Sequence, residues 1–129
     1  MEEAETFGCI LGLDTIKSLL SHLNNPQKQL SVIHIAGTNG KGSVAAYLAH
    51  VLAAAGYKTG RYTSPAVFDF CERISVTQKN SRTNQIETKN IAQKYVAKGV
   101  ELIKEAAGKM KQEGLREPTC FELQTALAM

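Results

Sequence analysis

The chain has 129 residues, of which 43% are hydrophobic and 21% charged, and its formal net charge is +3. This length and composition suit one small globular domain. The positive excess is too small to indicate a nucleic-acid partner, and neither a basic block nor an aromatic platform supports one. Because no apolar run approaches the ~20 residues of a membrane span and the amino terminus is acidic, we expect a cytoplasmic protein.

The three cysteines, Cys9, Cys71 and Cys120, are widely spaced and form no C-x-x-C pair. This pattern predicts reduced thiols and argues against a disulfide framework or a zinc site. No feature of the sequence pairs Cys71 with a catalytic base, so it is not predicted to be a nucleophile.

The first predicted element is an amphipathic helix, because Ile16, Leu19, Leu20 and Leu23 recur at helical spacing. This helix is expected to end near Asn25, which precedes a proline. A nearly continuous apolar strand follows at 32–36. Strands of that kind are typical of parallel sheets that are covered on both faces.

The predicted strand leads into a glycine-rich loop, GTNGKGS, at 37–43. Its three glycines allow backbone N–H groups to approach an anion without an intervening Cβ, and the helix that follows adds its positive dipole end. Lys41 adds a full charge suited to the outer phosphates of a nucleotide. The loop is shorter than the Walker pattern, since only Thr38 and Asn39 separate Gly37 from Gly40. We interpret it as a phosphate-binding loop, the alternative being a glycine turn with a solvated lysine.

A helix at 43–55, which Gly56 ends, and a strand at 57–63 complete a predicted βαβ unit. The second strand is expected to run parallel to the strand at 31–36, with a right-handed crossover. Ligands of such folds bind at the carboxyl ends of the strands, where the glycine loop and Ser64 would lie. The predicted fold class is therefore α/β, with a parallel-sheet, Rossmann-like nucleotide-binding domain.

The sequence from residue 72 onward predicts a hairpin and two helices. The strand at 72–77 has a plausible partner at 85–87, across a polar turn that is expected to be mobile. Thr88 could cap a long helix to about Gln112, and Gly114 would end it. A last helix opens at 119 and reaches Met129 without a cap or breaker, so we expect the chain to be cut within a helix.

The segment IHIAGTNGKGSVAAYLAHVL, at 33–52, resembles the ATP-binding loop of the Mur ligase superfamily and, within it, the folylpolyglutamate synthase and dihydrofolate synthase branch. Other segments occur in the order that this family uses. They are LGLDTIK at 11–17, GRYTSP at 60–65, ERI at 72–74 and the pair Phe121-Glu122. The resemblance covers nearly the whole chain, and the polar stretch 77–85 matches least.

The resemblance implies a Mg-ATP site. The residues predicted to bind ATP are Gly37, Thr38, Asn39, Gly40, Lys41, Gly42 and Ser43. Among them, Thr38 and Asn39 would face the γ-phosphate and Lys41 would offset charge as that phosphate transfers, which makes these three the predicted catalytic residues.

Ser64 and Glu122 are the implied magnesium ligands. Each also has a structural interpretation. Ser64 is a loop serine before a proline, and the T-x-x-E pattern from Thr119 to Glu122 is that of a capping box.

The implied activity is ATP-dependent addition of L-glutamate to a folate or dihydropteroate carboxylate through an acyl phosphate. ATP and Mg²⁺ would be required. We expect the full-length protein to be a monomer, and an exposed sheet edge would give residues 1–129 a route to self-association. Two alternatives stay open, another P-loop ATPase or phosphotransferase, and a non-catalytic nucleotide-binding module.

The family ligases are longer than this chain. The resemblance therefore implies that residues 1–129 are the amino-terminal part of the ATP-binding domain and that the carboxyl-terminal glutamate-binding domain is absent. We expect no ligase activity from residues 1–129 alone. An assay of amide formation from ATP, folate or pteroate, and glutamate checks this, and detectable product would contradict it.

Overall fold

A computed structural model describes residues 12–129. The chain divides into two compact units, one with the residues up to Ser31 together with Val96–Met129, the other with Val32–Tyr95. The helices and strands are α1 (Asp14–His22), α2 (Lys41–Ala54), β1 (Thr59–Tyr62), β2 (Ile74–Lys79), β3 (Ile86–Asn90), α3 (Gln93–Gln112) and α4 (Cys120–Leu127), with short 3₁₀ turns at Pro26–Gln29 and Phe70–Arg73. None of the helices in the described part is both long and apolar enough to cross a bilayer.

The first unit is built from helices that share one apolar core. The core residues are Leu19, Leu20, Ile103, Ala106, Met110 and Ala126. Leu19 and Met110 are 0% and 1% exposed and are the largest fully buried apolar side chains among the described residues. The helix predicted around Ile16 is confirmed as α1, and Asn24 and Asn25 after it adopt left-handed conformations that end it.

His22, the last residue of α1, connects this helix to the segment after α3. Its Nδ1 lies 2.8 Å from the Ser18 carbonyl oxygen and its Nε2 3.2 Å from Glu113 Oε1. The hydrogen bond to the Ser18 carbonyl and then the one to Glu113 raise the pKa of His22 above its ordinary value. The contact therefore favours the protonated imidazole.

The raised pKa of His22 predicts a pH dependence of stability. Protonation contributes stability that is fully present below the unfolded-state pKa and is lost as the pH rises through the folded-state pKa. The urea midpoint of the wild type should therefore fall as the pH rises from about 6.5. In His22→Gln this part of the slope should vanish. Equal slopes in the two proteins would contradict the prediction.

The second unit contains a three-stranded antiparallel sheet in the order β1-β2-β3, with α2 packed against β1 and β2. Ala49 and Ala53, one turn apart on α2, are buried, which brings the helix backbone close to its neighbours. The Thr59 hydroxyl of β1 lies 3.2 Å from the Ala49 carbonyl oxygen and 3.1 Å from that of Thr77 in β2. One side chain thus connects the helix to both strands.

The α/β composition predicted from the sequence is confirmed, but the predicted parallel pairing is wrong for the described residues. Residues 30–37 form neither helix nor strand, and Val32 and Ile33 are exposed. The strand at 57–63 is present as β1 and pairs antiparallel with β2. An apolar run indicates that a strand would be buried but does not identify its partner. In this chain β1 pairs antiparallel with β2, the next strand along the chain.

Thr88 was predicted to cap the long helix, but this helix begins at Gln93. Thr88 lies in β3 directly opposite Thr77, and their hydroxyl oxygens are 2.9 Å apart. This cross-strand pair uses the hydroxyl that was expected to cap the helix. The hairpin itself is confirmed, as are the helix ends at Gly56 and Gly114, whose φ angles are +94° and +71°.

Candidate functional site

The loop 37–43 is exposed along its whole length. Gly37 and Gly40 have φ angles of +153° and +77°, which side-chain-bearing residues rarely adopt. A Cβ placed on Gly40 or Gly42 would meet no atom within 4 Å. The two glycines are therefore not required by internal crowding, and the space in front of them is open to a ligand.

Helix α2 begins directly from this loop, at Lys41. Gly40 is its N-cap residue and supplies no capping side chain, and the first turn contains no acidic residue. The first intrahelical bond of α2 joins the Val44 N–H to the Gly40 carbonyl oxygen at 2.9 Å. The N–H groups of residues 41–43 precede it and point out of the helix end, where they favour an anion together with the helix dipole.

The side chain of Lys41 folds back over the loop. Its ammonium donates to the carbonyl oxygens of Gly37 at 2.6 Å and Thr38 at 3.1 Å. The positive charge therefore lies above the loop and close to the start of α2. The sequence predicted the charge at the loop but not these two hydrogen bonds. The available signal for them is that Lys41 follows Gly37 by four residues and Thr38 by three.

These features fit a polyphosphate. A row of exposed N–H donors, a helix amino terminus without an acidic neighbour, and one ammonium all favour negative charge. The open space at Gly40 and Gly42 leaves room for phosphate oxygens to approach the backbone. The predicted residues 37–43 thus form one exposed surface whose chemistry suits an anion.

Ser64 follows β1 in the same unit as this loop, within a segment closed by its own hydrogen bonds. Its hydroxyl oxygen lies 3.4 Å from Arg73 Nη1, and the Thr63 N–H donates to the Arg73 carbonyl oxygen at 2.9 Å. Glu72 Oε2 accepts from the N–H groups of Val67 and Phe68 at 3.2 and 3.3 Å. Sequence reasoning missed this role of Glu72, since only the closed loop brings those amides to the carboxylate.

Cys71 in the same segment lies beside the carboxylate of Asp69. Its N–H donates to Asp69 Oδ1 at 2.6 Å, and the neighbouring carboxylate raises the pKa of the Cys71 thiol above its ordinary value. A raised thiol pKa lowers the fraction of thiolate at neutral pH. Cys120 is also a free thiol, whereas Cys9 lies outside the described residues.

Glu122 belongs to the first unit and forms the predicted capping box of α4. Its Oε2 accepts from the Thr119 N–H at 2.8 Å, and its own N–H donates to the Thr119 hydroxyl at 3.3 Å. The structural interpretation of this glutamate is therefore confirmed. Within residues 12–129 there is no group of three or more His, Cys, Asp or Glu side chains that could hold a metal ion.

The two interpretations of Glu122 predict different mutant behaviour. Glu122→Gln keeps an acceptor for the Thr119 N–H and removes the charge, whereas Thr119→Ala removes the cap and should cost about 1 kcal/mol of stability. If Glu122 is only a cap, Glu122→Gln leaves Mg²⁺-dependent ATP binding unchanged. If Glu122 is also a metal ligand, Glu122→Gln should raise the Mg²⁺ concentration needed for half-maximal ATP binding and leave the urea midpoint unchanged. This is the result we expect.

Known proteins resemble this chain over most of its length. It is 38% identical over 122 residues to the dihydrofolate synthase/folylpolyglutamate synthase of Bacillus subtilis, across 95% of this chain and 26% of that protein. The folylpolyglutamate synthetase from Lactobacillus casei superposes with a TM-score of 0.78 at 36% identity, across 98% of this chain and 30% of that chain.

A solved complex of a folylpolyglutamate synthetase with AMPPCP and folate also gives a TM-score of 0.78. The identity is 35%, across 98% of this chain and 30% of that chain. The chain thus spans less than a third of the length of these three proteins. No protein-family model matches the sequence.

Proposed function

Because the chain belongs to the folylpolyglutamate synthase and dihydrofolate synthase family, of Mur ligase type, we propose that it supplies the phosphate-binding loop of an ATP-dependent ligase. The reaction is the addition of L-glutamate to the carboxylate of a folate or a dihydropteroate. The observation that carries the proposal is the arrangement of the exposed glycine loop, the Lys41 ammonium and the uncapped start of α2.

The chemistry explains why such a ligase needs this loop. A carboxylate is a poor acyl donor, so its oxygen first attacks the γ-phosphorus of ATP to give an acyl phosphate and ADP. The glutamate amine then displaces phosphate and forms the amide. The first step brings two anions together, and the loop offsets their repulsion with N–H dipoles and one ammonium.

Individual residues have separate roles in this proposal. The N–H groups at the start of α2 hold phosphate oxygens, Thr38 and Asn39 face the γ-phosphate, and Lys41 offsets the charge that shifts during transfer. Mg²⁺, when bound, neutralises part of the triphosphate charge, and Ser64 and Glu122 are its proposed protein ligands. Hard oxygen donors of this kind suit magnesium.

A phosphate series tests the proposal with the wild-type protein. Titration with ATP, ADP, AMP and adenosine in the presence of Mg²⁺ should give affinities that fall with each phosphate removed, because the loop contacts phosphates. ATP should bind more than tenfold tighter than AMP, the ratio expected for losing one or more charge-assisted contacts. Equal affinity for ATP and adenosine would exclude the loop as a phosphate site.

We propose further that residues 1–129 are the amino-terminal part of the ATP-binding domain of a cytoplasmic, monomeric ligase, and that residues 1–129 alone self-associate through an exposed sheet edge. Sedimentation of the purified chain at several concentrations tests self-association of residues 1–129. A concentration-independent monomer would contradict self-association.

A further inference from the structure

Strand β3 forms one edge of the antiparallel sheet, since β2 is its only strand neighbour among residues 12–129. All of its residues except Glu87 are exposed, including the apolar Ile86. An open edge of this kind presents backbone N–H and C=O groups with which another strand can pair. The outer side of β3 can therefore accept a further strand.

The register between β2 and β3 determines which backbone groups of β3 face outward. The Asn80 N–H donates to the Gln85 carbonyl oxygen at 2.8 Å, and the Ile91 N–H donates to the Ile74 carbonyl oxygen at 2.8 Å. Both opposite pairs, one at each end of the hairpin ladder, are thus hydrogen-bonded. Because hydrogen-bonded and non-hydrogen-bonded pairs alternate along an antiparallel ladder, the odd-numbered residues of β3 bond to β2 and the even-numbered residues do not.

The even-numbered residues of β3 therefore direct their N–H and C=O groups to the outer edge. These residues are Ile86, Thr88 and Asn90. Within the described part of the chain, no backbone hydrogen bond joins them to a segment outside the hairpin. Their donors and acceptors are available to a strand of another molecule.

A second copy of β3 complements this edge in one register. In an antiparallel pair centred on Thr88, Glu87 of each copy lies opposite Lys89 of the other, in a non-hydrogen-bonded pair, where side chains are closest. Sliding one strand by two residues in either direction places Glu87 opposite Glu87 or Lys89 opposite Lys89, and like charges directly opposite are destabilising. The two side chains are already paired within one chain, Lys89 Nζ lying 2.7 Å from Glu87 Oε2. In the centred register the four charges alternate in sign around a square.

The other edge of the sheet does not have this property. Strand β1 carries Arg61 and no acidic residue, so two copies of β1 place no opposite charges across from each other. Of the two edges, β3 is therefore the self-complementary one.

We infer that two copies of this chain associate through β3 with Thr88 at the twofold axis, so that two three-stranded sheets join into one six-stranded antiparallel sheet. This inference gives the self-association proposed above an edge and a register, and it does not depend on the ligase function. The edge is short and Lys89 is 77% exposed, so the dimer is weak, with a dissociation constant on the order of 0.1–1 mM.

Charge reversal tests the register by sedimentation equilibrium. Glu87→Lys and Lys89→Glu, each alone, place like charges opposite each other and should remain monomeric. An equimolar mixture of the two variants restores opposite charges at both positions, so it should associate at least tenfold more tightly than either variant alone. The chain that carries both substitutions only exchanges the two charges and should dimerise like the wild type.

Glu105→Lys and Lys109→Glu are the matched controls, because they reverse the charges of another exposed ion pair, on α3. They change the net charge by the same amounts as the β3 variants. Each control should dimerise like the wild type and should gain nothing from mixing. If the mixed controls associate as tightly as the mixed β3 variants, net charge drives the association and the inference is overturned.

A dilution series of the ¹⁵N-labelled wild type locates the contact without any substitution. This matters because Glu87→Lys also removes the 2.6 Å contact between Asn80 Nδ2 and Glu87 Oε1 in the hairpin. We expect the amide signals of Ile86, Thr88 and Asn90 to move with concentration.

Three results would overturn the inference. They are a wild type that stays monomeric at 1 mM and above, assemblies larger than a dimer, and concentration-dependent shifts confined to β1. The last result would retain self-association through a sheet edge while excluding β3. ATP binding enters none of these measurements, so failure of the proposed ligase function is detected separately.

Discussion

Replacing Lys41 by alanine is expected to weaken the binding of MgATP by about 10- to 100-fold. This range corresponds to the loss of a hydrogen bond between charged partners, about 1.5–3 kcal/mol. The fold should be unaffected, because Lys41 is exposed at the first position of α2 and alanine favours helix. Isothermal titration of both proteins with MgATP measures the difference.

Lys58→Ala is the control for the loss of one positive charge. It removes an exposed lysine of the same unit, outside the loop, and should change the affinity less than twofold. If Lys41→Ala and Lys58→Ala weaken the binding of MgATP equally, Lys41 acts only through the net charge of the protein. That result would contradict a specific contact between Lys41 and phosphate.

Leu19→Ala is expected to destabilise the first unit by about 3 kcal/mol. Leu19 is fully buried in the core that α1 shares with α3 and α4, so truncation leaves a cavity among residues that cannot all collapse into it. A loss of this size is a large part of the total stability of a small domain. Urea unfolding followed by far-ultraviolet circular dichroism measures it.

Leu13→Ala is the matched control, since Leu13 precedes α1 and its side chain is 62% exposed. This substitution should change the free energy of unfolding by no more than about 0.5 kcal/mol. A cost below about 1 kcal/mol for Leu19→Ala would show that the core of the first unit is not formed as described.

The helix start after the glycine loop and the capping box could be predicted from the sequence because their determinants are local. The loop 37–43 needs only its glycines, its lysine and the helix that follows, and all of these lie within a few residues. The capping box at Thr119 and Glu122 depends in the same way on a spacing of three. Short-range rules of conformation and hydrogen bonding are sufficient for both features.

Sequence reasoning failed where the partner of a segment is distant. The apolar run at 32–36 predicted a strand in a parallel sheet, but the choice of partner depends on strands that local patterns do not identify. Thr88 is a comparable case, because its hydroxyl could cap a helix or pair across a hairpin, and only the register with Thr77 decides. The role of Glu72 depends likewise on how the segment after Ser64 closes.

The most direct test of the phosphate site is paramagnetic broadening by Mn²⁺-ATP in the ¹⁵N-labelled protein, with Mg²⁺-ATP and Mn²⁺ alone as references. Broadening falls steeply with distance from the metal, so it locates the bound triphosphate. We predict that the amide signals of Gly37–Ser43 broaden first, that Mn²⁺ alone does not reproduce the pattern, and that Lys41→Ala reduces it. Loop signals that persist while amides elsewhere in the chain disappear would contradict the assignment of this loop as the nucleotide site.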